Sequence, residues 1–364
     1  MKAAVLNSIP GQLDIEEILI DSPGPREVLI RTSAAGLCHS DLHFMEGNYP
    51  YPCPAVLGHE SAGIVTEVGS DVNYVAPGDH VITCLSAFCG YCEQCISGHL
   101  TLCENKATEL VRKPGQPPRL SRPDGEAVNS FLHLSSFAEQ MLVHEHALVK
   151  IDEEMPLDKA ALIGCGVTTG LGAVFRTAKV EPGSTVAVIG CGGIGLSAIQ
   201  GARIAGANRV IAVDMVSSKL ELAQTLGATH VINAGEGDPV EQVREITNGL
   251  GVHNSFEAVG MKTTAEQSFK MLRGGGQATV IGMIPVGTTV EIHGPELISE
   301  KTLTGSNMGS NQFRTDMPRF VDMYLDGRLL LDEMVSKTIT LDEINDGFEE
   351  MKTGTIARSV IAFD

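Results

Sequence analysis

Through residue 150 the apolar positions come in short β-branched runs broken by turn residues. Val28-Leu29-Ile30, Gly63-Ile64-Val65-Thr66-Glu67-Val68 and His80-Val81-Ile82 predict strands. Asp21-Ser22-Pro23-Gly24, Gly69-Ser70-Asp71 and Pro77-Gly78-Asp79 supply the backbone constraints that turns between them need. Phe137-Ala138-Glu139-Gln140-Met141-Leu142-Val143 is strand-like as well, and the whole stretch predicts an all-β, partly closed unit. From Glu104 to Ser130 the pattern breaks up. Lys113-Pro114-Gly115-Gln116-Pro117-Pro118 and Arg122-Pro123-Asp124-Gly125 continue neither period and predict a long surface loop.

After Cys165 strands alternate with helical stretches. Thr185-Val186-Ala187-Val188-Ile189, Arg209 to Asp214, His230-Val231-Ile232, Ser255 to Val259 and Ala278 to Ile281 read as buried parallel strands. Helical patterns such as Val240 to Thr247 and Thr264 to Arg273 separate them, so an α/β, doubly wound parallel sheet is expected. Helices follow near Arg319 to Asp326 and Asp342 to Met351, and a last strand, Ser359 to Phe363, is able to return to the first unit.

Length and charge then narrow the classes. At 364 residues the chain suits two domains, and 43% hydrophobic with 20% charged residues describes a folded protein. A net charge of −19 leaves no basic face for nucleic acid or an anionic membrane, so neither is expected as a partner. The pattern predicts neither an export signal nor an apolar run long enough to span a bilayer. Nine cysteines then point to metal ligation in a reducing compartment, and a cytoplasmic location is expected.

Two cysteine patterns carry chemistry. Cys38-His39-Ser40-Asp41-Leu42-His43 packs a thiol, a hydroxyl, a carboxylate and two imidazoles into one short stretch. With His59 in Gly58-His59-Glu60 and Cys165 in Gly164-Cys165-Gly166, Cys38 completes a Cys2His set, the donor set of an open, catalytic zinc site. Cys89, Cys92, Cys95 and Cys103 form a four-sulfur set, which closes a tetrahedral ion and suits a structural zinc. A redox Cys-x-x-Cys pair is the alternative, but it would not need four sulfurs. A third pattern, Gly190-Cys191-Gly192-Gly193-Ile194-Gly195, follows a strand and opens a helix, with Asp214 ending the next strand. That context predicts dinucleotide binding, with Asp214 on a ribose.

In this order the motifs resemble the zinc-dependent medium-chain alcohol dehydrogenases over essentially the whole chain, and the loop before Phe131 resembles the long-loop, liver-type branch. The resemblance implies a GroES-like catalytic domain over 1–166 carrying the structural zinc lobe, a Rossmann domain over 167–306, and a return to the first domain over 307–364. It implies two zinc ions per chain, one held by Cys38, His59 and Cys165, and NAD as hydride carrier. Asp41 would orient His59, and Glu60 would stand beside the metal. Ser40 and His43 would relay the substrate proton. Thr169, Gly190, Gly192, Gly193, Gly195, Asp214 and Lys219 would bind the cofactor, with Arg358 on its pyrophosphate. His39 stands where many relatives place another pyrophosphate-binding arginine. Cys53, Cys84 and Cys191 are expected to be buried as small hydrophobes.

Leu85, Phe131, Leu132 and Met283 match pocket-lining positions of the family. An aliphatic Leu85 leaves room, so medium-chain or aromatic primary alcohols and their aldehydes are expected ahead of ethanol. The alternative is a formaldehyde dehydrogenase acting on an S-hydroxymethyl thiol adduct, for which Arg112, Lys113, Arg119 and Arg122 would supply basic groups. A non-catalytic NAD-binding protein on the same fold is the remote reading. Long-loop relatives pair their cofactor domains edge to edge, so a homodimer, or else a tetramer, is expected through strands at Thr288 to Ile292 and Lys301 to Thr304.

Overall fold

The computed structural model describes residues 1–354 and 358–363. The chain divides into two compact units, Met1–Cys165 with Gln312–Asp364, and Gly166–Asn311.

The first unit is organised on the strand Glu27–Gly36. It pairs antiparallel with Ser61–Val68 on one side, and with Gln140–His144 and Ser359–Ala362 on the other. Its register slips between Leu29 and Ile30 and again between Thr32 and Ala34. Such irregularities bend a strand, which helps one strand serve three partners. The C-terminal strand thus lies directly against Ala34, Ala35 and Gly36, the residues that lead into Cys38. A second sheet joins Lys2–Leu6, Leu13–Glu17, Ala55–Val56 and Ala127–Ser130, and buried Leu6, Leu37, Leu57 and Phe131 belong to the apolar cluster beside it.

The stretch expected to be an irregular loop carries structure of its own, a short helix Lys106–Glu109 and a hairpin of Leu120–Ser121 with Ala127–Ser130. Charge secures it. Arg112 donates to Glu27 and Asp21, Arg119 Nε donates to Glu27 Oε1 at 2.6 Å, and Arg122 Nε donates to Glu16 Oε2 at 2.9 Å. Phe131–His133 is a 3-10 turn, and Leu132, His133 and Ser135 all have positive φ. Such backbone is uncommon for residues with a Cβ and marks strain held by its surroundings.

The second unit is a six-stranded parallel sheet in the order His230–Asn233, Arg209–Asp214, Thr185–Ile189, Val252–Glu257, Leu272–Val280, Thr302–Gly305. The strand expected to run to Val259 ends at Glu257, where the chain turns. Thr288 to Ile292 forms no strand, so of the two segments expected at the sheet edge only Thr302–Gly305 is there. Pro285 and Gly287 nearby oppose a regular strand at 288–292.

Contrary to expectation, one helical stretch, Leu157–Ala178, is long and apolar enough by composition to cross a membrane. Some 83% of its most apolar window is buried within the fold, as in a core helix of a globular protein. It winds in π-helical turns at Ile163–Val167 and Ala173–Ala178.

Candidate active site

Three separate elements of the first unit deliver Cys38, His59 and Cys165 to one place. Cys38 ends the small-residue run after Glu27–Gly36 and sits at the N-cap of the helix His39–Met45. His59 follows Gly58, whose φ of +90° and crowding (a Cβ would come 2.6 Å from Ser136 Oγ and 2.7 Å from Phe137 N) exclude any other residue. Cys165 lies in the π-helical turn Ile163–Val167, a distortion frequent at functional sites. Gly164 beside it lets the helix approach the sheet, since a Cβ there would stand 3.0 Å from the Thr83 carbonyl oxygen. The two sulfurs and one imidazole nitrogen all lie within 4.8 Å of one another, and all three residues are buried.

Their surroundings fix roles. His59 Nδ1 lies 3.0 Å from Asp41 Oδ1, which also accepts the Gly58 N–H at 3.2 Å. A carboxylate on Nδ1 leaves Nε2 as the lone pair for a metal, the usual arrangement for a ligating histidine. The hydrogen bond with Cys165, against the opposing effect of burial, holds the Cys38 thiol well below the ordinary range, and the same contact raises Cys165 well above it. Burial raises the Asp41 carboxyl, with the charge of His59 opposing. Two thiols and an imidazole in a buried cluster fit a zinc ion with one position open to substrate.

Glu60 is fully buried behind this set, its Oε2 3.6 Å from Arg358 Nη2. Arg358 Nη1 donates to the Leu37 carbonyl at 3.0 Å. The guanidinium expected on a pyrophosphate is thus buried and engaged inside its own unit. Ser40 and His43 are three residues apart on the helix His39–Met45 and so share a face. Cys38 Sγ lies 3.7 Å from Ser40 Oγ, and His43 Nδ1 lies 3.1 Å from Asn48 Nδ2. His39 is exposed at the start of the same helix.

Of the expected pocket residues, Phe131 packs edge-on to His59 at 6.1 Å, and Leu132 packs against the same cluster. Leu85 is partly buried and packs against a different cluster, around Val28, Ile30 and Val65. Met283, 37% exposed, belongs to the second unit. Sequence reasoning missed Phe44, Tyr49 and Tyr51. The rings of Phe44 and Tyr51 meet Phe131 at 4.8 and 5.0 Å, and Tyr49 stands edge-on to His43 at 6.3 Å. A signal was available, since two of the chain's five tyrosines fall in Tyr49-Pro50-Tyr51-Pro52, between His43 and His59.

Cys89, Cys92, Cys95 and Cys103 converge within 4.8 Å and are free thiols, like all nine cysteines. Main-chain N–H groups of Glu104 and Cys95 point at Cys92 and hold its thiol at about 6, while burial pushes Cys95 up to about 12. The root of the lobe is held by His146, whose ring stacks on Phe88 at 4.6 Å, and its far end by Gln312 Nε2 donating to the Gly98 carbonyl at 3.1 Å. Of the unassigned thiols, Cys84 and Cys191 are buried, but Cys53 is only half-buried.

In the second unit the glycine loop leaves Ile189 and enters the helix Gly193–Ile204. Gly195 has no room for a side chain, because a Cβ would fall 1.7 Å from the Gly190 carbonyl oxygen. Gly192 has open space where its side chain would be, which leaves the backbone approachable by a phosphate. Asp214 ends its strand with Oδ2 accepting from Cys191 N at 2.7 Å and Oδ1 from Val216 N at 3.0 Å. Lys219 is on the following helix, Ser217–Thr225, and the Thr169 hydroxyl donates to Met308 Sδ at 3.4 Å.

Comparisons with known proteins agree with this geometry. Residues 24–153 match the family model for the alcohol dehydrogenase GroES-like domain, and residues 193–324 match that for zinc-binding dehydrogenases. An Escherichia coli protein named S-(hydroxymethyl)glutathione dehydrogenase is 40% identical over all of this chain and 99% of its own length. The chain belongs to the zinc-dependent medium-chain alcohol dehydrogenases. It is an oxidoreductase with a GroES-like β-rich unit and a Rossmann unit. Among solved structures, the benzyl alcohol dehydrogenase of Acinetobacter calcoaceticus superposes with a TM-score of 0.92 at 34% identity, over 100% of this chain and 99% of that one. A zinc-binding dehydrogenase from Sinorhizobium meliloti, solved bound to NADP, gives a TM-score of 0.83 at 30% identity, over 100% and 99%.

Proposed function

We propose that this dehydrogenase transfers a hydride between a primary hydroxyl and NAD, at a zinc held by Cys38, His59 and Cys165, with a second zinc held by Cys89, Cys92, Cys95 and Cys103. The convergence of one imidazole and two thiols beside the helix bearing Ser40 and His43 is the observation that carries the reading. Zinc there would supply Lewis acidity toward the substrate oxygen, and the nicotinamide would supply the hydride acceptor. Ser40 Oγ accepts the substrate hydroxyl proton, and the His43 ring, on the same helix face, passes it towards solvent. Asp41 holds the His59 ring in orientation. Asp214 favours NAD, because a 2′-phosphate would meet a carboxylate already fixed by two main-chain N–H groups.

For the substrate, the names of curated relatives favour the thiol-adduct reading over the free alcohol that pocket positions put first. Relatives named S-(hydroxymethyl)glutathione dehydrogenase match along the full chain at 37–40% identity. The loop arginines offered for the adduct's carboxylates do not support it, being paired with Asp21, Glu27, Glu16 and Glu126. Aromatic alcohols remain the second reading, supported by the Phe44, Tyr51 and Phe131 ring cluster and by the likeness to a benzyl alcohol dehydrogenase. The deciding measurement is kcat/KM for formaldehyde with glutathione or another small thiol, against benzyl alcohol, octanol and ethanol. A strict thiol requirement supports the adduct. Benzyl alcohol turned over best without thiol supports the second reading, and a maximum at ethanol overturns both.

A further inference from the structure

A buried carboxyl group in the second unit is not used by any step above. Glu257 is fully buried at the end of the strand Val252–Glu257, level with Ile189 on one side and Val280 on the other. Those neighbours matter because the strand order reverses here. From Thr185–Ile189 the chain builds outward through Arg209–Asp214 and His230–Asn233, then returns to lay Val252–Glu257 on the opposite side. In doubly wound sheets a ligand binds outside the carboxyl ends of the strands at this reversal.

Glu257 ties the segments leaving three of those strand ends. Its Oε1 accepts from Val259 N at 2.9 Å, Gly260 N at 2.7 Å and Thr264 Oγ1 at 2.7 Å. Its own carbonyl oxygen accepts from Ile281 N at 2.8 Å and Gly282 N at 3.0 Å, while Ala258 N donates to the Ile189 carbonyl at 2.9 Å. Packing between the segments is equally close. A Cβ on Gly190 would lie 2.7 Å from Val259 Cγ2, one on Gly260 2.6 Å from the Met283 carbonyl oxygen, and one on Gly282 2.7 Å from Glu257 Oε2. Val259 stands 44% exposed and Met283 37% exposed, although both belong to these tightly held segments. Apolar side chains on rigid backbone, next to the glycine loop and open to solvent, form a wall suited to a flat ring of the dinucleotide.

We propose that Glu257 is a positioning residue for the nicotinamide cofactor: its carboxyl group fixes the 258–260 turn, against which Gly282 and Met283 pack, so that Val259 and Met283 present that wall beside Gly190. This rests on the dinucleotide reading of the second unit. Glu257 touches no cofactor and acts through the main chain of Val259 and Gly260. Loss of the carboxyl group frees the Val259 and Gly260 N–H groups, while Thr264 Oγ1 keeps the Met261 carbonyl at 3.0 Å, and lets the turn drift from the glycine loop. Glutamine keeps one acceptor oxygen at Oε1 and much of the anchoring.

The test is equilibrium binding of NADH, read by its fluorescence, alongside steady-state kinetics of the full chain. In Glu257→Ala the NADH Kd and the KM for NAD should rise about tenfold or more, the scale on which small misplacements of a binding group register. The kcat at saturating NAD and the KM for alcohol should stay within about threefold, and Glu257→Gln should recover most of the lost affinity. A native protein that binds no NADH overturns the dinucleotide reading and this proposal with it. Native binding with unchanged affinity in Glu257→Ala overturns the role of Glu257 alone. So does a loss that falls equally on kcat and alcohol KM, or that glutamine does not relieve. Should Glu257→Ala fail to fold, Thr264→Val removes a single donor to Oε1 and should raise the NADH Kd by a smaller factor in the same direction. An unchanged Kd in that variant overturns the proposal.

Discussion

Asp41 offers the sharpest handle on the open metal site, because it touches His59 and yet supplies none of the three candidate ligand atoms. Its side chain is 0% exposed and that of His59 1% exposed, so no solvent replaces the 3.0 Å contact if the carboxylate is removed. Asp41→Ala leaves two buried N–H groups, His59 Nδ1 and Gly58 N, without their acceptor, and the ring free to turn or change tautomer. Removing such an outer partner typically costs 10- to about 100-fold in metal affinity, or roughly 1.4–2.8 kcal/mol. Asp41→Asn should be milder at the ring, since its carbonyl oxygen still accepts from Nδ1. Its amide nitrogen, however, takes the place of Oδ2, which has no hydrogen-bond partner among the described residues, and a buried unpaired donor costs about 1–3 kcal/mol. The assay is zinc retention against a graded chromogenic chelator, with zinc counted per chain. Native protein should release its metal in two steps, and both variants should move only the weaker step to lower chelator concentration while the four-thiol site keeps its ion. An Asp41→Ala protein that retains both ions at native chelator concentrations and turns over at the native rate would refute the reasoning.

The remaining predictions concern separate parts of the machine. Cys92→Ser should lose one zinc and lower Tm; two tightly held ions remaining in that variant would contradict the four-thiol assignment. Ser40→Ala should remove most of kcat, whereas His43→Gln should mainly change the pH dependence of alcohol oxidation, so near-native rates in both across the pH range would leave the relay without support. Asp214→Ala should narrow the preference of kcat/KM for NAD over NADP, and native protein that prefers NADP would overturn the assignment of that residue. Burial alone would raise Glu27, but hydrogen bonds from Arg112, the charge of Arg119 and the Gly24 N–H outweigh it and hold the carboxyl below its ordinary value near 4.5. A group lowered in the folded state lends stability above its unfolded value and loses it as pH falls through the folded one. Native Tm should therefore fall below about pH 4.5, and Glu27→Gln should be roughly 3 kcal/mol less stable at neutral pH with a flatter acid limb. An equally steep limb in the variant would place the acid sensitivity elsewhere.

Much of this site is legible in the chain because its chemistry is local. Each ligand is announced by a dense motif, and the glycine loop is readable because Gly190, Gly192 and Gly195 answer to steric rules that act within a few residues. What the sequence hides is set by distant packing. Period-2 reasoning extends the strand to Val259, yet it ends at Glu257, whose side chain turns the chain by capturing the N–H groups of Val259 and Gly260. The π-helical turn that carries Cys165 has no signature in propensity, and the close approach of Gly164 to the Thr83 carbonyl beside it joins residues far apart in the chain.

The arginines of residues 104–130 make the same point from the side of function. Read along the chain, Arg112, Arg119 and Arg122 lie in a polar, proline-rich stretch and look available to an anionic substrate. In the fold, Arg119 is 8% exposed and, with Arg112, clamps Glu27 on the central strand, while Arg122 bridges Glu16 and Glu126. Turning Arg112 or Arg119 to a ligand would take a partner from buried Glu27, and turning Arg122 would take one from Glu16 and Glu126. A thiol-adduct reading of the substrate therefore calls for cations outside this network. Lys113, in the same stretch, makes no ion pair among the described residues and is where substitution should first be tried. If Lys113→Ala raises the KM for a thiol adduct and leaves that for benzyl alcohol unchanged, the loop contributes to adduct recognition through Lys113. If neither value moves, Lys113 takes no part in adduct recognition.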